Sequence, residues 1–301
     1  MNENDSVSSS EEIIEKKLYP VLNENNIFIQ KEDIQKILKK GGINKKINDI
    51  QLYQTAFIHK SYCNNNDIKK QKLYGSLEEV SFSSNVPIQE NSNEVMEWIG
   101  DGVIQNIISS YLPERFSDQK EGFLTKLRSK LVKTDTLSKL ALKLNFDKFI
   151  IISKHIEIVC NGRNNLRILE DAFEAFIGAM MNDFGKKNKG IGYVVCYDFL
   201  IKLIEDNIDI TELILNNDNY KDILMQYFQK NFNGKFPIYE QKTVTNTVNE
   251  HGITHKKFHM CVRDCNHHII GEGIARSKKE AEQIAAKEAL HYFGKDIFML
   301  E

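Results

Sequence analysis

Five carboxylates in two short stretches have the types and spacing for chemistry on phosphate. In "NEVMEWIGDGVI", Glu94, Glu97 and Asp101 stand at i, i+3 and i+7, and in "LEDAFEAFIGAMMND", Asp171 and Glu174 repeat the i, i+3 spacing. On a helix such residues share one face, with neighbouring turns about 5–6 Å apart. No Lys or Arg occurs between Asn93 and Glu114, or between Ile168 and Gly185. The competing reading is a pair of solvated acidic faces, the better reading for any single acidic pair. It fits poorly where the neighbours are Trp98, Ile99, Val103, Phe173, Phe176 and Ile177. Helices this apolar are buried, and a buried carboxylate costs several kcal/mol unless compensated. A divalent cation is the economical partner, and an all-oxygen donor set suits Mg²⁺, with Mn²⁺ able to substitute, rather than zinc. Two such ions about 4 Å apart form a standard device for phosphodiester hydrolysis.

The elements that must position these groups read as helices. The segments Asn93 to Leu112, "EGFLTKLRSKLV", "TDTLSKLALKLN", "LEDAFEAFIGAMMNDFG" and "GYVVCYDFLIKLIED" carry helical periodicity, and almost nothing before Ile210 alternates like a strand. "LYQTAFIHKSY" also reads as helical. Residues 63–92, rich in Asn and polar groups, read as an insertion or long loop. Residues 1–44 are expected to be a partly disordered extension, in which "EEIIEKKLYPVL" and "KEDIQKILKK" each form a short amphipathic helix. An all-α domain over 45–210, a linker over 211–217, a second module over 218–294 and a tail over 295–301 complete the expected organisation. The second module changes texture: a helix, three β-rich runs ("FPIYEQKTVTNTV", "KKFHMCVRD", "HHIIGEGIA") and the final helix "SKKEAEQIAAKEALHYF", an α-β-β-β-α order.

Composition sets bounds without naming a partner. The 301 residues are 41% hydrophobic, enough for a packed core, and 40 basic against 42 acidic residues leave a net charge of −2. A nucleic-acid binder of this kind must concentrate its positive charge locally. Five scattered cysteines imply reduced thiols. The acidic, polar start "MNENDSVSSSEE" is not a secretory signal, and no run approaches a spanning helix. The expectation is a soluble intracellular protein, cytoplasmic or nuclear, with no membrane partner.

The first acidic stretch resembles the signature of the ribonuclease III family, N-E-x-x-E-[FW]-[LI]-G-D-x-[VI]-[LI], and "ILEDAFEAFIGAMMND" resembles its second motif, D-x-x-E-A-x-x-G-A. "HKSY" and the segment between the motifs fall in family order. The resemblance covers about residues 52–206. It implies a divalent-metal-dependent endoribonuclease cleaving double-stranded RNA, leaving 5′-phosphate and 3′-hydroxyl ends with short 3′ overhangs. It assigns metal ligation to Glu97, Asp101, Asp171 and Glu174, and gives Glu94 an outer place in the same catalytic set. It further implies a homodimer, each cluster cutting one strand, with Trp98 inserted into the partner; the competing reading buries Trp98 within its own chain. Two departures stand out: Ile58 where the family usually has Thr, and the length of 63–92. His59 and Ser61 read as structural hydrogen-bonding residues.

The terminal module resembles a double-stranded RNA-binding domain. Ser277 and Glu280 form a capping box that starts the last helix, and Lys278 and Lys279 project from its positive end, where phosphate is attracted. Gly271, Gly273 and "AEQIAAKEAL" belong to the same pattern. By resemblance His255, in the loop "EHGITHKKF", supplies a second RNA contact, and Gln226 on the first helix a third, although Met225 and Gln226 depart from the usual Gln and Glu there. Family members of this type contact two successive minor grooves over roughly 16 bp. His255, His259, Cys261, Cys265, His267 and His268 also raise zinc; no C-x-x-C pair is present, and alternation places His259 and Cys261 on the outer face of a strand. A duplex binder that does not cut, or a structural ribonucleoprotein component, has no use for five intact carboxylates.

Overall fold

The computed structural model describes residues 21–63, 86–215, 219–248 and 254–294. The chain divides into two compact units, one ending at Ile208 and the other beginning at Asp209. No helix among the described residues is long and apolar enough to cross a membrane.

The first unit is helical: α1 (Lys31–Lys40), α2 (Ile50–Ala56), α3 (Glu94–Arg115), α4 (Glu121–Leu131), α5 (Thr134–Lys143), α6 (Lys154–Val159), α7 (Leu166–Phe184) and α8 (Lys189–Asn207). Its centre is α7, where Leu169, Ala172, Phe173, Ala175, Phe176, Ile177, Ala179 and Met180 are all buried. Phe176 is the hub, with ring centroids of Phe146, Tyr53, Phe199 and Phe57 at 5.1, 5.3, 5.9 and 6.2 Å. Tilted and edge-on packing of this kind adds to the gain from apolar burial. One end of α7 is pinned by Asp183, only 2% exposed. Its carboxylate accepts from the Asn48 and Asp49 amides at 3.1 and 2.9 Å and from the Tyr53 hydroxyl at 3.1 Å.

The helices α3 and α7 cross at a point where neither backbone has room for a side chain. A Cβ on Gly100 would lie 1.8 Å from the Glu174 carbonyl oxygen, and one on Gly178 would lie 2.1 Å from that of Met96. Chain number rises along α3 as it falls along α7, so the pair is antiparallel. The two glycines thereby set how near the acidic faces come.

Several expectations need correction. Residues 21–43 are not a detached extension. Ile29, Ile34, Ile37, Leu38 and Ile43 enter the core, although α1 forms where an amphipathic helix is expected. Asn23 and Asn26 donate to the Ile152 carbonyl at 3.0 Å each, and Arg163 bridges Asn26 to Glu157. "EEIIEKKLYPVL" lies largely outside the described residues. The helical reading of "LYQTAFIHKSY" fails after Ala56. There Ile58 forms a parallel bridge with Ile151 and a 3₁₀ turn follows over Lys60–Tyr62. Residues 64–85 lie outside the described residues, but the chain on either side is tied together. Cys63 bridges Gln89, and the Tyr62 hydroxyl donates to the Val86 carbonyl at 2.7 Å. The expected linker contains a short helix, α9 (Ile210–Leu215).

In the second unit α10 (Tyr220–Asn231) precedes an antiparallel sheet of β1 (Ile238–Val248), β2 (Thr254–Arg263) and β3 (Ile269–Ala275), in the order β1-β2-β3, and α11 (Lys278–Tyr292) closes it. Ile223, Leu224, Phe228, Val262, Ile270 and Leu290 form its core. Gly271 and Gly273 let β3 lie directly on α11, since a Cβ on either would fall 2.2 Å from the Ala285 or Ala281 carbonyl oxygen. Ser277 caps α11, accepting from the Glu280 amide at 3.2 Å.

Candidate active site

Glu94 and Glu97 occupy the first turn of α3, where the helix dipole favours negative charge. Asp171 and Glu174 lie on α7, one turn apart, against the glycine crossing. The crossing brings ligand oxygens of Glu97, Asp171 and Glu174 within 4.8 Å of one another. Glu174 is 9% exposed, and its carboxylate accepts no hydrogen bond from the described residues. Burial, followed by the fields of Asp101, Glu170, Glu97 and Asp171, pushes its pKa up to about 8. Asp171 is raised to about 6, first by burial and then by Glu170. Glu97 is raised by burial, Asp171 and Glu94. Three carboxylates that cannot all hold their charge at neutral pH, with oxygen donors converging, fit a divalent cation of the Mg²⁺ class.

Asp101 is exposed on the next turn of α3 and accepts from the Gln105 side chain at 3.3 Å. It stands outside the tight trio, close enough to be the largest charge acting on Glu174. Glu94 faces outward in an ion pair with Lys60 at 3.1 Å, and Ser92 donates to it at 3.0 Å. The Lys60 hydrogen bond holds the Glu94 pKa below its ordinary value. The field of Lys60 also reaches Glu97 and Asp171.

Two charged groups at this site escape a reading of the motifs alone. Lys60 is the nearest positive charge, delivered from the 3₁₀ turn by long-range contacts that local spacing does not reveal. Glu170, part-buried beside Asp171, accepts from the Thr134 hydroxyl. Its i, i+4 spacing to Glu174 is the signal that could have found it. Arg167 sits in the first turn of α7 and lowers the pKa of both Glu170 and Asp171, so the basic-free stretch is shorter than the helix. His59 is kept neutral by burial, and its Nδ1 accepts from the Ser61 amide at 3.2 Å. The Ser61 hydroxyl in turn accepts from the Ser153 amide at 3.1 Å. These two residues tie chain segments together.

On the outward side of α3, Trp98 is 78% exposed and Val95 71%. Trp98 therefore contributes nothing to the core of its own unit, which removes the competing reading. In the second unit Lys278 and Lys279 are exposed at the start of α11, next to exposed Arg276. Gln226 is exposed on α10 and donates to Asp222 at 3.0 Å. His255 belongs to β2 rather than to a loop, its backbone opposite Thr247. Its side chain lies outside the described residues, as do residues 249–253 of the expected loop. Among the described residues the histidines and cysteines of this unit form no ligand cluster. Cys261 has the outward parity expected, yet it is fully buried. It stands in register between Glu240 and Glu272, whose ion pairs with Arg263 and His259 account for its burial.

Comparison with known proteins agrees with this site. Residues 94–185 match the ribonuclease III domain family, and residues 220–293 match the double-stranded RNA binding motif. The chain is 34% identical over 241 residues to ribonuclease 3 of Streptococcus gordonii, covering 80% of this chain and 89% of that one. It is also 34% identical over 286 residues to a probable ribonuclease 3 of Acanthamoeba polyphaga mimivirus, covering 92% of this chain. It spans only 48% of that viral protein's length. The nuclease domain of the Campylobacter jejuni ribonuclease III aligns over 59% of this chain and 95% of its own, at 26% identity and a TM-score of 0.44. With nuclease domain and RNA-binding motif in this order, the chain belongs to the ribonuclease III family, the endoribonucleases of double-stranded RNA.

Proposed function

We propose that Glu97, Asp101, Asp171 and Glu174 hold Mg²⁺, with Mn²⁺ able to replace it, and that Glu94 completes the catalytic set from the rim. The observation that carries this reading is the convergence of Glu97, Asp171 and Glu174 around a carboxylate that is nine-tenths buried. Bound divalent cations supply a water nucleophile at neutral pH and a counter-charge for the departing oxygen. The protein contributes the rest. The crossing of α3 and α7 fixes the donor oxygens, the first-turn position keeps Glu94 and Glu97 anionic, and Lys60 offsets part of the charge where a phosphate must approach.

The chain has one such cluster, and a duplex has two strands. A homodimer joined through the exposed Trp98 and Val95 gives each strand its own cluster, and products then carry 5′-phosphates, 3′-hydroxyls and short 3′ overhangs. The terminal unit supplies affinity through Lys278 and Lys279, with Gln226 and His255 as further contacts. The proposed extents are a nuclease domain from about 45 to 210 joined by a short link to the RNA-binding unit at 218–294, with residues 21–43 now counted with the nuclease. The testing experiment is digestion of a long RNA duplex, an equal-length single strand beside it, in Mg²⁺ and in excess chelator. Double-strand cuts with Mg²⁺ alone support the reading, and equal cutting in chelator sinks it.

A further inference from the structure

The antiparallel crossing brings together a second pair of carboxylates. Gly100 touches the backbone of Glu174. The next α3 residue, Asp101, therefore runs beside the α7 turn that begins at Glu170. Glu170 precedes Glu174 by one turn on the same face, so their side chains are neighbours. It is also held from a third element, because the hydroxyl of Thr134, the first residue of α5, donates to it. That donor is neutral and leaves the negative charge in place. Arg167, the basic residue that acts on Glu170, does so through space without a hydrogen bond. Glu170 is thus a part-buried anion, fixed in orientation, facing Asp101 and Glu97 on one helix and Glu174 on its own.

The tight trio of Glu97, Asp171 and Glu174 excludes both Asp101 and Glu170. Asp101 and Glu170 are nonetheless the two largest charges acting on Glu174. The donors therefore form two overlapping groups, one on each side of the nine-tenths-buried Glu174.

We infer that Glu170 is a further carboxylate of the cation-binding set, forming with Asp101 a second divalent-cation position that shares Glu174 with the first. The inference rests on the metal reading above and adds a ligand to it. Thr134 orients Glu170 toward that position, as outer hydrogen bonds commonly orient metal-bound carboxylates.

The test uses the full chain without RNA and Mn²⁺ as the probe, with binding followed by calorimetry and by the loss of the free-ion resonance signal. Wild type, Glu170→Gln, Glu170→Asp and Glu174→Gln are compared at one pH, with circular dichroism of each. Glu170→Gln is expected to retain the tighter Mn²⁺ and to weaken the second by about tenfold or more. Glu170→Asp, which keeps the charge, recovers part of that loss, whereas Glu174→Gln impairs both. Wild-type binding by Glu170→Gln beside impaired Glu174→Gln overturns the inference and leaves the metal reading standing. A wild type that binds no Mn²⁺ overturns both.

Discussion

The charge state of Glu174 and Asp171 couples stability to metal. Both folded-state pKa values are raised, to about 8 and about 6, above the ordinary carboxylate range. The folded chain therefore binds more protons than the unfolded chain across that window, so its stability falls as pH rises. Without divalent cation, the melting temperature is expected to decline between about pH 5 and 8 as first Asp171 and then Glu174 ionise. Mg²⁺ binds the ionised form, so its stabilising effect must grow over the same interval. Melting curves in chelator and in Mg²⁺ at several pH values check this. Parallel flat profiles contradict it.

The crossing of α3 and α7 is the element that makes a site out of two acidic faces. A Cβ on Gly100 meets a carbonyl oxygen at 1.8 Å, and backbone cannot yield as a side-chain tip does. Gly100→Ala should push the helices apart, cost about 1–3 kcal/mol, and weaken Mn²⁺ binding together with stability. Gly102, whose Cβ would meet nothing within 4 Å, is the control. Equal melting and Mn²⁺ binding in the two variants would dismiss the crossing as the determinant. This contact also marks how far the sequence is legible. The i, i+3 carboxylates and the helical period identify both helices and their acidic faces, because those patterns are local. The partnership of Lys60 with Glu94 spans 34 residues and an irregular turn, and no local pattern encodes it. Residues 21–43 look detachable in sequence because their core contacts reach chain segments more than a hundred residues away. Alternation gives Cys261 its face correctly but not its burial, which depends on ion pairs between strands.

For the molecule as a whole, the account divides labour between two units and two chains. Trp98 lies exposed with Val95 on the signature helix. Trp98→Ala should weaken the proposed homodimer by about 2 kcal/mol or more, as interface aromatics often do. Light scattering across a concentration series measures it, and a wild type that is monomeric yet fully active rules out paired clusters. The terminal unit carries only two more basic than acidic residues, so its affinity depends on where they stand. Phosphate contacts release counterions, which makes that affinity fall with salt. Removing residues 218–301 should depress cleavage sharply at moderate salt and spare much of it at low salt with Mn²⁺. Changing Lys278 and Lys279 together to Ala should reproduce much of the defect. If the rate-against-salt curves of wild type, truncation and double variant coincide, the terminal unit is not the anchor.

The most direct test of the central claim separates charge from shape at one residue. Glu174→Gln keeps the side chain's size while removing the buried charge on which the cluster converges. Cleavage of a long RNA duplex in Mg²⁺ and retention of the same duplex in a binding assay are measured side by side. The account predicts that cleavage collapses while binding largely survives. Near-normal turnover by Glu174→Gln at ordinary Mg²⁺ would contradict it.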